Sequence, residues 1–170
     1  CQSGQDAVNP LWCKIRMEFT HGGRVAALTL ASPKGNVVDG VMMAELSSAI
    51  DQLSKQKKLC VVVLEGEGPH FSFGASVPEH VKERASGMLR GFHALFSKLL
   101  EFPVPLLAKV RGQCLGGGFE LAAFCHWIFA DNTAHFAVPE IKLAVFPPPA
   151  SLILPFKIGQ AWADWMVLTG

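Results

Sequence analysis

Charged residues are scarce in this sequence, and neither sign dominates. Only 17% of its 170 residues are charged, and the formal net charge is +1. A chain without an excess of basic residues has no general attraction for nucleic acid or for an acidic membrane surface. We therefore expect neither of them as a partner.

Long apolar runs and targeting signals are lacking as well. The longest candidate for a membrane span, Leu143 to Phe156, contains four prolines. A span needs roughly 18 uninterrupted apolar residues. The N-terminus does not show a basic region followed by an apolar stretch, the pattern of a secretory signal. These features favour a cytoplasmic protein without a membrane segment.

Paired cysteines and metal-ligand spacings are missing too. The cysteines are odd in number, form no Cys-x-x-Cys pair and mostly lie in apolar segments, which favours a reducing compartment. The six histidines show no spacing such as His-Glu-x-x-His, so we expect no metal ion. The histidines at three positions are interpreted as surface or core residues: His80, His126 and His135.

Apolar residues, by contrast, are abundant. Hydrophobic residues make up 50% of the chain, and the mean hydropathy is +0.31. These values are high for a soluble monomer, and they indicate apolar surface that a partner subunit or another part of the protein covers. The length suits one domain, which buries roughly 70% of the surface that the unfolded chain exposes.

Strand and helix patterns alternate after a leading hairpin. The turn His21-Gly22-Gly23 joins the two hairpin strands. Apolar residues at helical spacing predict helices, and the continuous apolar run Leu59–Leu64 predicts a strand buried on both faces. The alternation predicts an α/β fold in which helices cross between largely parallel strands. The predicted strands are Lys14–Thr20, Arg24–Ala31, Leu59–Leu64, Leu106–Val110 and His126–Ala130, and the predicted helices are Met42–Gln56, Arg84–Glu101 and Gly117–Phe124.

Two glutamates, Glu120 and Glu140, lie in strongly apolar neighbourhoods. An unpaired carboxylate is costly in such a place, and its pKa is raised into the range that suits acid–base chemistry. A chain that keeps two such groups is predicted to use them.

A glycine run, Gly116-Gly117-Gly118, follows a buried strand and opens the predicted helix that carries Glu120. The first N–H groups of a helix lack intrahelical partners and carry the positive end of the helix dipole, so they bind anions or a developing oxyanion. Residues three apart, such as Gly117 and Glu120, share one helix face. The alternative is that the glycines only permit a tight turn and close packing, and the sequence leaves both interpretations open.

Several other kinds of site are disfavoured. Gly74-Ala75-Ser76 resembles half of a nucleophile elbow, but Pro78 stands where the closing glycine belongs, so we do not expect a serine hydrolase. The glycine runs also match neither the mononucleotide nor the dinucleotide phosphate-binding motif. The segment around Ala75 nevertheless follows a buried strand, where open α/β sheets place their ligands.

Five ordered segments together resemble the crotonase, or enoyl-CoA hydratase, superfamily from Lys14 onward. The resemblance implies a crotonase-like spiral fold of repeated ββα units over residues 14–170, with residues 1–13 as an N-terminal extension. The segments that carry it are Ser32–Val38, Phe71–Ser76, Arg111–Ala122, Phe136–Leu143 and Leu168-Thr169-Gly170.

The resemblance also implies a catalytic site. The backbone N–H groups of Ala75 and Gly117 would form an oxyanion hole for a thioester carbonyl, Glu120 would activate water, and Glu140 would deliver a proton. Retention of both glutamates favours addition or removal of water over isomerisation, decarboxylation or thioester hydrolysis. Coenzyme A enters as part of the substrate, so no separate cofactor is expected. Substrate or coenzyme A contacts are expected from Lys34, Val37, Phe73, Gly74, Ser76, Val77, Gly116, Phe136, Phe146 and Pro148.

Two departures from the common pattern bear on the substrate. After Glu140 the chain has Phe146-Pro147-Pro148-Pro149-Ala150-Ser151, where ordinary hydratases have a Gly-Ala-Gly-Gly type of stretch. The sequence thereby looks like the subgroup that hydrates cyclohexa-1,5-diene-1-carbonyl-CoA in anaerobic aromatic degradation. Stiff prolines with Phe73, Phe136 and Phe146 nearby suit a flat ring, although these three aromatic residues could instead belong to the core. Pro78 replaces a lysine common near the adenine of coenzyme A.

Members of the superfamily continue beyond the Leu-Thr-Gly motif into helices that complete the acyl pocket and build a trimer or a dimer of trimers. The present sequence ends at Gly170, so we expect this helical part to be absent from it. That absence would account for the excess of apolar residues. An isomerase or decarboxylase, or a crotonase-like binding module without catalysis, remains as an alternative.

Overall fold

The computed structural model describes residues 12–76 and 82–170, apart from the side chains at 82–86 and 88. A five-stranded sheet forms its centre, and a two-stranded parallel pair lies beside it. In chain order the strands are β1 (Ile15–Thr20), β2 (Val25–Leu30), β3 (Val61–Gly66), β4 (Leu106–Val110), β5 (Gln113–Leu115), β6 (Trp127–Ala130) and β7 (His135–Ala137).

The large sheet has the order β1-β2-β3-β4-β6, and the pair consists of β5 and β7. β1 and β2 are antiparallel, with Ile15 opposite Leu30, and the short 3-10 helix His21–Gly23 connects them. Every later pairing in this sheet is parallel. The predicted hairpin and the predicted α/β fold are confirmed.

Helices connect the parallel strands, as such a sheet requires. They are α1 (Gly40–Leu53), α2 (Lys82–Leu100), α3 (Gly116–Phe124), α4 (Pro148–Ile158) and α5 (Gln160–Thr169), with a 3-10 helix at Pro139–Leu143. α1 begins two residues before the predicted start, because the Asp39 carboxylate caps it by accepting from the Met42 N–H at 3.0 Å. No helix in these ranges is both long and apolar enough to cross a bilayer.

The core lies between one face of the sheet and the helices. Successive strand residues point to opposite faces, and on β2 it is every second residue that is fully buried. α1 and α2 contribute apolar residues at helical spacing to the same core. The strand contributors include Ala26, Leu28, Leu30, Val62, Leu64 and Leu106, and the helix contributors include Met42, Leu46, Ile50, Leu53, Phe92, Leu95, Phe96 and Leu99.

The prediction that Leu59–Leu64 forms a strand buried on both faces is wrong in two respects. The strand lies two residues later, at Val61–Gly66, and it alternates between buried and half-buried residues. The reason is that the packed helices cover one face, so a continuous apolar run does not require burial on both. β4 agrees with its predicted range, but it alternates in the same way.

Candidate active site

Two backbone amides lie side by side where the loop after β3 meets the start of α3. Ala75 forms an isolated parallel bridge with Val38: the Val38 N–H donates to the Gly74 carbonyl at 2.9 Å, and the Ser76 N–H donates to the Val38 carbonyl at 3.1 Å. A Cβ placed on Gly117 would lie 3.2 Å from the Ala75 nitrogen. Gly117 is in the first turn of α3, so its N–H has no intrahelical acceptor. The backbone of Gly117 therefore packs directly against that of Ala75.

A buried asparagine holds the loop that precedes Ala75. Asn36 is only 2% exposed, and its Nδ2 lies 3.0, 3.1 and 3.2 Å from the carbonyl oxygens of Glu67, His70 and Phe71. Its Oδ1 accepts from the Ser32 N–H at 3.1 Å. One side chain thus satisfies several backbone groups in a place that water does not reach.

Ser72 continues this network towards the amide pair. Its hydroxyl is fully buried, donates to the Asn36 carbonyl at 2.8 Å and accepts from the Gly74 N–H at 3.1 Å. Gly118 packs directly against it, since a Cβ on Gly118 would come within 2.5 Å of the Ser72 Oγ. The serine therefore fixes the backbone immediately before Ala75 and packs against the first turn of α3.

Glu120 lies on α3, one turn after Gly117. It is 6% exposed, and its Oε1 accepts from the Ala150 N–H at 2.9 Å. Burial raises the pKa of Glu120 to about 7; the negative charge of Glu140 also raises it, and the Ala150 hydrogen bond opposes the rise. A carboxyl group with this pKa can take or give a proton near neutral pH.

Glu140 approaches from the 3-10 helix Pro139–Leu143. A Cβ on Gly116 would lie 2.6 Å from the Glu140 Oε1 and 3.4 Å from its carboxyl carbon. Gly116 also has φ +46°, in the left-handed region that favours glycine. The first glycine of the run therefore leaves space for a carboxyl group as well as permitting the turn.

A cavity of about 210 Å³ brings these groups together. One side carries the two amides and the two carboxyl groups, and the rest is apolar. This arrangement can bind a carbonyl oxygen, move protons beside it and hold an apolar group. The lining residues are Ala75, Leu89, Phe92, Gly117, Glu120, Glu140, Val145, Phe146, Pro147, Pro148 and Pro149.

Not all predicted site residues line this cavity. The four positions predicted to be catalytic do, together with Phe146 and Pro148. Gly74 and Gly116 adjoin it through their backbone, since a Cβ on Gly74 would lie 3.5 Å from the Gly117 nitrogen. Val77 is outside the described residues.

Two of the predicted aromatic residues lie elsewhere. Phe73 is 45% exposed and packs over Gly35, with its ring edge-on to His70 at 5.0 Å between centroids. Phe136 is half-buried and packs on Phe119 at 5.1 Å, so it belongs with the core. Within the described residues neither forms part of the cavity lining.

The predicted coenzyme A contacts occupy two adjacent segments. The Phe73 N–H donates to the Gly35 carbonyl at 2.8 Å, and with the Val38 bonds this brings the loop of Lys34 and Val37 beside the loop of Ser76. Lys34 is exposed and Val37 is half-buried. Their contact with coenzyme A stays a prediction.

Sequence reasoning missed Leu89 and Phe92 on α2, and it missed the bond from Ala150 to Glu120. Phe92 continues the apolar stripe of α2 with Leu95 and Phe96, and nothing in such a stripe distinguishes a core residue from one at the edge of a cavity. In the described part of the chain, no group of three or more His, Cys, Asp or Glu residues is placed to hold a metal ion.

The mixed α/β architecture with a mainly parallel sheet agrees with the expected crotonase-like fold. The family model described as enoyl-CoA hydratase/isomerase matches residues 20–170. The chain belongs to the enoyl-CoA hydratase/isomerase family.

Individual relatives agree with this assignment. The chain is 44% identical over 165 residues to a cyclohexa-1,5-dienecarbonyl-CoA hydratase of Thauera aromatica, an alignment that covers 97% of this chain and 62% of the relative. It is 33% identical over 151 residues to a probable enoyl-CoA hydratase of Bacillus subtilis, covering 86% of this chain and 58% of the relative. The chain thus spans about three fifths of these relatives' length.

Solved structures show the same fold. DspI of Pseudomonas aeruginosa superposes with a TM-score of 0.89 at 29% identity, covering 96% of this chain and 68% of DspI. An enoyl-CoA hydratase subunit of Geobacillus kaustophilus superposes with a TM-score of 0.84 at 33% identity, covering 94% of this chain and 62% of that one.

Proposed function

We propose that the protein is an acyl-CoA hydratase that adds water to the conjugated double bond of an enoyl or cyclic dienoyl thioester, or removes it in reverse. One observation carries the proposal: the residues of two carboxyl groups and two adjacent backbone amides line a single, largely apolar cavity. An isomerase or decarboxylase needs no such pair of carboxyl groups on either side of a water molecule.

The Ala75 and Gly117 amides bind the thioester carbonyl oxygen in this proposal. Their two donors stabilise the negative charge that builds on that oxygen, and the polarised carbonyl makes the β-carbon electrophilic. Loss of one such donor typically lowers turnover by about 10²–10³-fold. A Cβ placed on Gly117 would lie 3.2 Å from the Ala75 nitrogen, so the two residues are in close contact. This closeness supports the proposal that both amides donate to one oxygen atom.

Glu120 activates water, and Glu140 delivers a proton to the carbon next to the thioester carbonyl. Two nearby carboxylates do not both ionise cheaply, so one holds a proton while the other is charged. The Ala150 N–H favours the charged form of Glu120, and it opposes burial and the charge of Glu140, which raise the pKa of Glu120 to about 7. Near neutral pH a share of the molecules therefore carries Glu120 as a carboxylate that can act as the base. Each proton transfer contributes about 10²–10⁴ to the rate.

The acyl group is a planar ring in this proposal. The segment Pro147–Pro149, called the proline segment below, forms a stiff side of the cavity with Phe146, and Phe92 and Leu89 also line the cavity. The 44% identical relative carries the name of a cyclic dienoyl-CoA hydratase. Stiff, flat surfaces suit a ring better than a flexible chain.

The active form is a cytoplasmic homo-oligomer, a trimer or a dimer of trimers, and it uses no cofactor other than the coenzyme A of its substrate. The exposed apolar side chains of α4 and α5 support assembly, since Phe156 is 83% exposed and Trp162 is 67% exposed. Monomeric proteins rarely leave such groups uncovered together.

The direct test is an acyl-CoA assay on the complete natural protein and on Glu120→Gln and Glu140→Gln. An amide keeps the shape of the carboxyl group but does not exchange protons, so each variant should lower hydration turnover by about 10²-fold or more while substrate affinity changes little. Glu101→Gln, at an exposed position after α2, is the control. A rearranged or decarboxylated product would identify the alternative chemistry, and binding of acyl-CoA without turnover would identify a binding module.

A further inference from the structure

The N-terminus of α4 has a single backbone N–H without an intrahelical acceptor, whereas most helices have several. Pro147 is the N-cap, and Pro148 and Pro149 are the first two helical residues. Proline has no N–H, so none of these three positions supplies a donor. The Ser151 N–H donates to the Pro147 carbonyl at 3.0 Å within the helix. The Ala150 N–H is the amide of this turn that remains without an intrahelical acceptor.

That amide points at a catalytic carboxyl group. The Ala150 N–H donates to the Glu120 Oε1 at 2.9 Å, and both residues are buried, with 1% and 6% exposure. Among the described residues, it is the one group whose hydrogen bond to Glu120 is observed. The positive end of an 11-residue helix therefore acts on Glu120 through a single donor.

The three prolines affect more than the shape of the cavity. A helix start with ordinary residues would present additional N–H groups beside Glu120, and these could bind water or draw the carboxyl group into other orientations. With prolines there, two of the cavity-lining positions next to Ala150 present only apolar rings. The carboxyl group then has one preferred partner and one preferred orientation.

We propose that Ala150 is a positioning residue for Glu120: its amide fixes one carboxylate oxygen, which leaves the other for the proton of the attacking water, and the proline segment makes this amide the only donor of the helix end. The inference rests on the proposed function of Glu120 as a base. It assigns a role to a backbone group that no side-chain comparison would identify.

Ala150→Pro in the complete natural protein removes the donor and keeps a residue that the first helical turn tolerates. Loss of this hydrogen bond destabilises the charged form of Glu120 and raises its pKa. The acid limb of the pH profile of kcat should therefore move to higher pH by about one unit. On the acid side kcat should fall about tenfold, while KM stays within about threefold. Ala150→Gly retains the N–H and should restore the acid limb.

Ala161→Pro is the matched control, since it places the same residue in the first turn of α5, at an exposed position. It should leave the acid limb in place. A folded Ala150→Pro variant with the original acid limb would overturn the inference. Glu120→Gln, measured beside these variants, separates this inference from the proposed function. An inactive Glu120→Gln would leave the proposed function intact even if the inference about Ala150 fails, whereas a fully active Glu120→Gln would refute the proposed function.

A second measurement does not depend on turnover or on the folding of the proline variant. The backbone ¹⁵N signal of Ala150 should titrate with Glu120 in the original protein and lose that titration in Glu120→Gln. An Ala150 signal that is indifferent to pH while the Glu120 carboxyl signal titrates would show that the bond is absent in solution, and would overturn the inference independently of the kinetics.

Discussion

The carboxyl group of Glu140 lies directly against Gly116, in the space that a side chain at position 116 would occupy: a Cβ there would come within 2.6 Å of the Glu140 Oε1. Gly116 also has a positive φ of +46°. The glycine run and the second glutamate are therefore linked by sterics as well as by chemistry. The absence of a side chain at position 116 leaves the space that the Glu140 carboxyl group occupies.

Gly116→Ala should consequently act on turnover more than on folding. The methyl group can be accommodated if Glu140 moves, and a displacement of about 1 Å at a reacting group costs about 10²-fold in kcat. The left-handed backbone adds a destabilisation of about 1–2 kcal/mol. Assays with acyl-CoA and urea unfolding separate the two effects.

Gly87→Ala is the control for this prediction, because a Cβ at that helical position meets nothing within 4 Å. It should stabilise α2 by about 0.5–1 kcal/mol and leave kcat in place. Original turnover in a folded Gly116→Ala variant would show that Glu140 does not need this space.

The raised pKa of Glu120 predicts a pH-dependent contribution to stability. The pKa is about 7 in the folded protein, chiefly through burial, and about 4.5 in the unfolded chain. Between these values the folded protein holds a proton that the unfolded chain releases. The stabilisation is therefore fully present below about pH 4 and is lost as pH rises through 7, by about 3 kcal/mol in total.

Glu120→Gln removes this loss, since glutamine does not ionise. The free energy of unfolding of the variant, relative to the original protein, should rise by about 3 kcal/mol between pH 4 and pH 8. Urea unfolding at both pH values measures it, with Glu101→Gln as an exposed control. Parallel stability profiles of the two proteins would mean that Glu120 titrates normally.

Ser72→Ala tests the hydrogen-bond network that holds the loop preceding Ala75. The substitution removes the donor to the Asn36 carbonyl and leaves the buried Gly74 N–H without its acceptor. An unsatisfied buried group costs about 1–3 kcal/mol. Because Gly74 precedes Ala75, kcat should fall as well, while Ser54→Ala, which affects an exposed hydroxyl, should change neither quantity. A stability loss with full kcat would restrict Ser72 to a structural role.

The sequence predicted the large elements of the fold because their signals are local. The hairpin follows from His21-Gly22-Gly23, and β4 follows from a short apolar run before Arg111. The short strands β5 and β7 were missed, since three residues each carry no periodicity and their pairing depends on tertiary contacts. The helices α4 and α5 were also missed; for α4 the reason is that a run of prolines conceals the helix start.

In the site, too, the residues with a local sequence motif were predicted, and the features that depend on tertiary packing were not. Glu120, Glu140, Ala75 and Gly117 were predicted from motifs, and the structure brings them to one cavity. The bond from Ala150 to Glu120 depends on how α4 packs on α3, which no local pattern encodes. The sequence also did not show that Phe73 and Phe136 lie outside the cavity lining, since an aromatic residue looks alike in sequence whether it lines a cavity, packs in a core or lies near the surface.

The apolar side chains of α4 and α5 predict self-association of the 170-residue chain. Phe156, Trp162, Trp165 and Leu168 are 83%, 67%, 64% and 69% exposed. An uncovered apolar patch larger than a few hundred Å² binds hydrophobic dyes or another protein surface. Dye fluorescence and sedimentation should both report it, and Phe156→Ser with Trp162→Gln should weaken both signals more than Val41→Thr does. A dye-silent monomer at high concentration would show that these side chains are not available for association.

The proline segment provides the sharpest test of the substrate. If Pro147, Pro148 and Pro149 shape the cavity for a flat ring, the complete natural protein should prefer a cyclic dienoyl-CoA over crotonyl-CoA in kcat/KM. Each misfitted methylene-sized contact is worth about 1–3 kcal/mol, so the expected margin is about 10–200-fold. The two thioesters share coenzyme A, and the ratio therefore reports the acyl group alone.

Replacing Pro148 and Pro149 by the glycine and alanine types of ordinary hydratases should reduce that preference, because flexible residues no longer hold a flat surface against the ring. Pro103→Ala, at an exposed position after α2, should preserve the ratio. The replacement also adds N–H groups beside Glu120, so the pH dependence of kcat should be measured together with the rates. A changed acid limb with an unchanged substrate ratio would show that the prolines act on Glu120 and not on the ring of the substrate. Equal or better use of crotonyl-CoA by the original protein would refute the cyclic substrate while leaving the hydratase proposal intact.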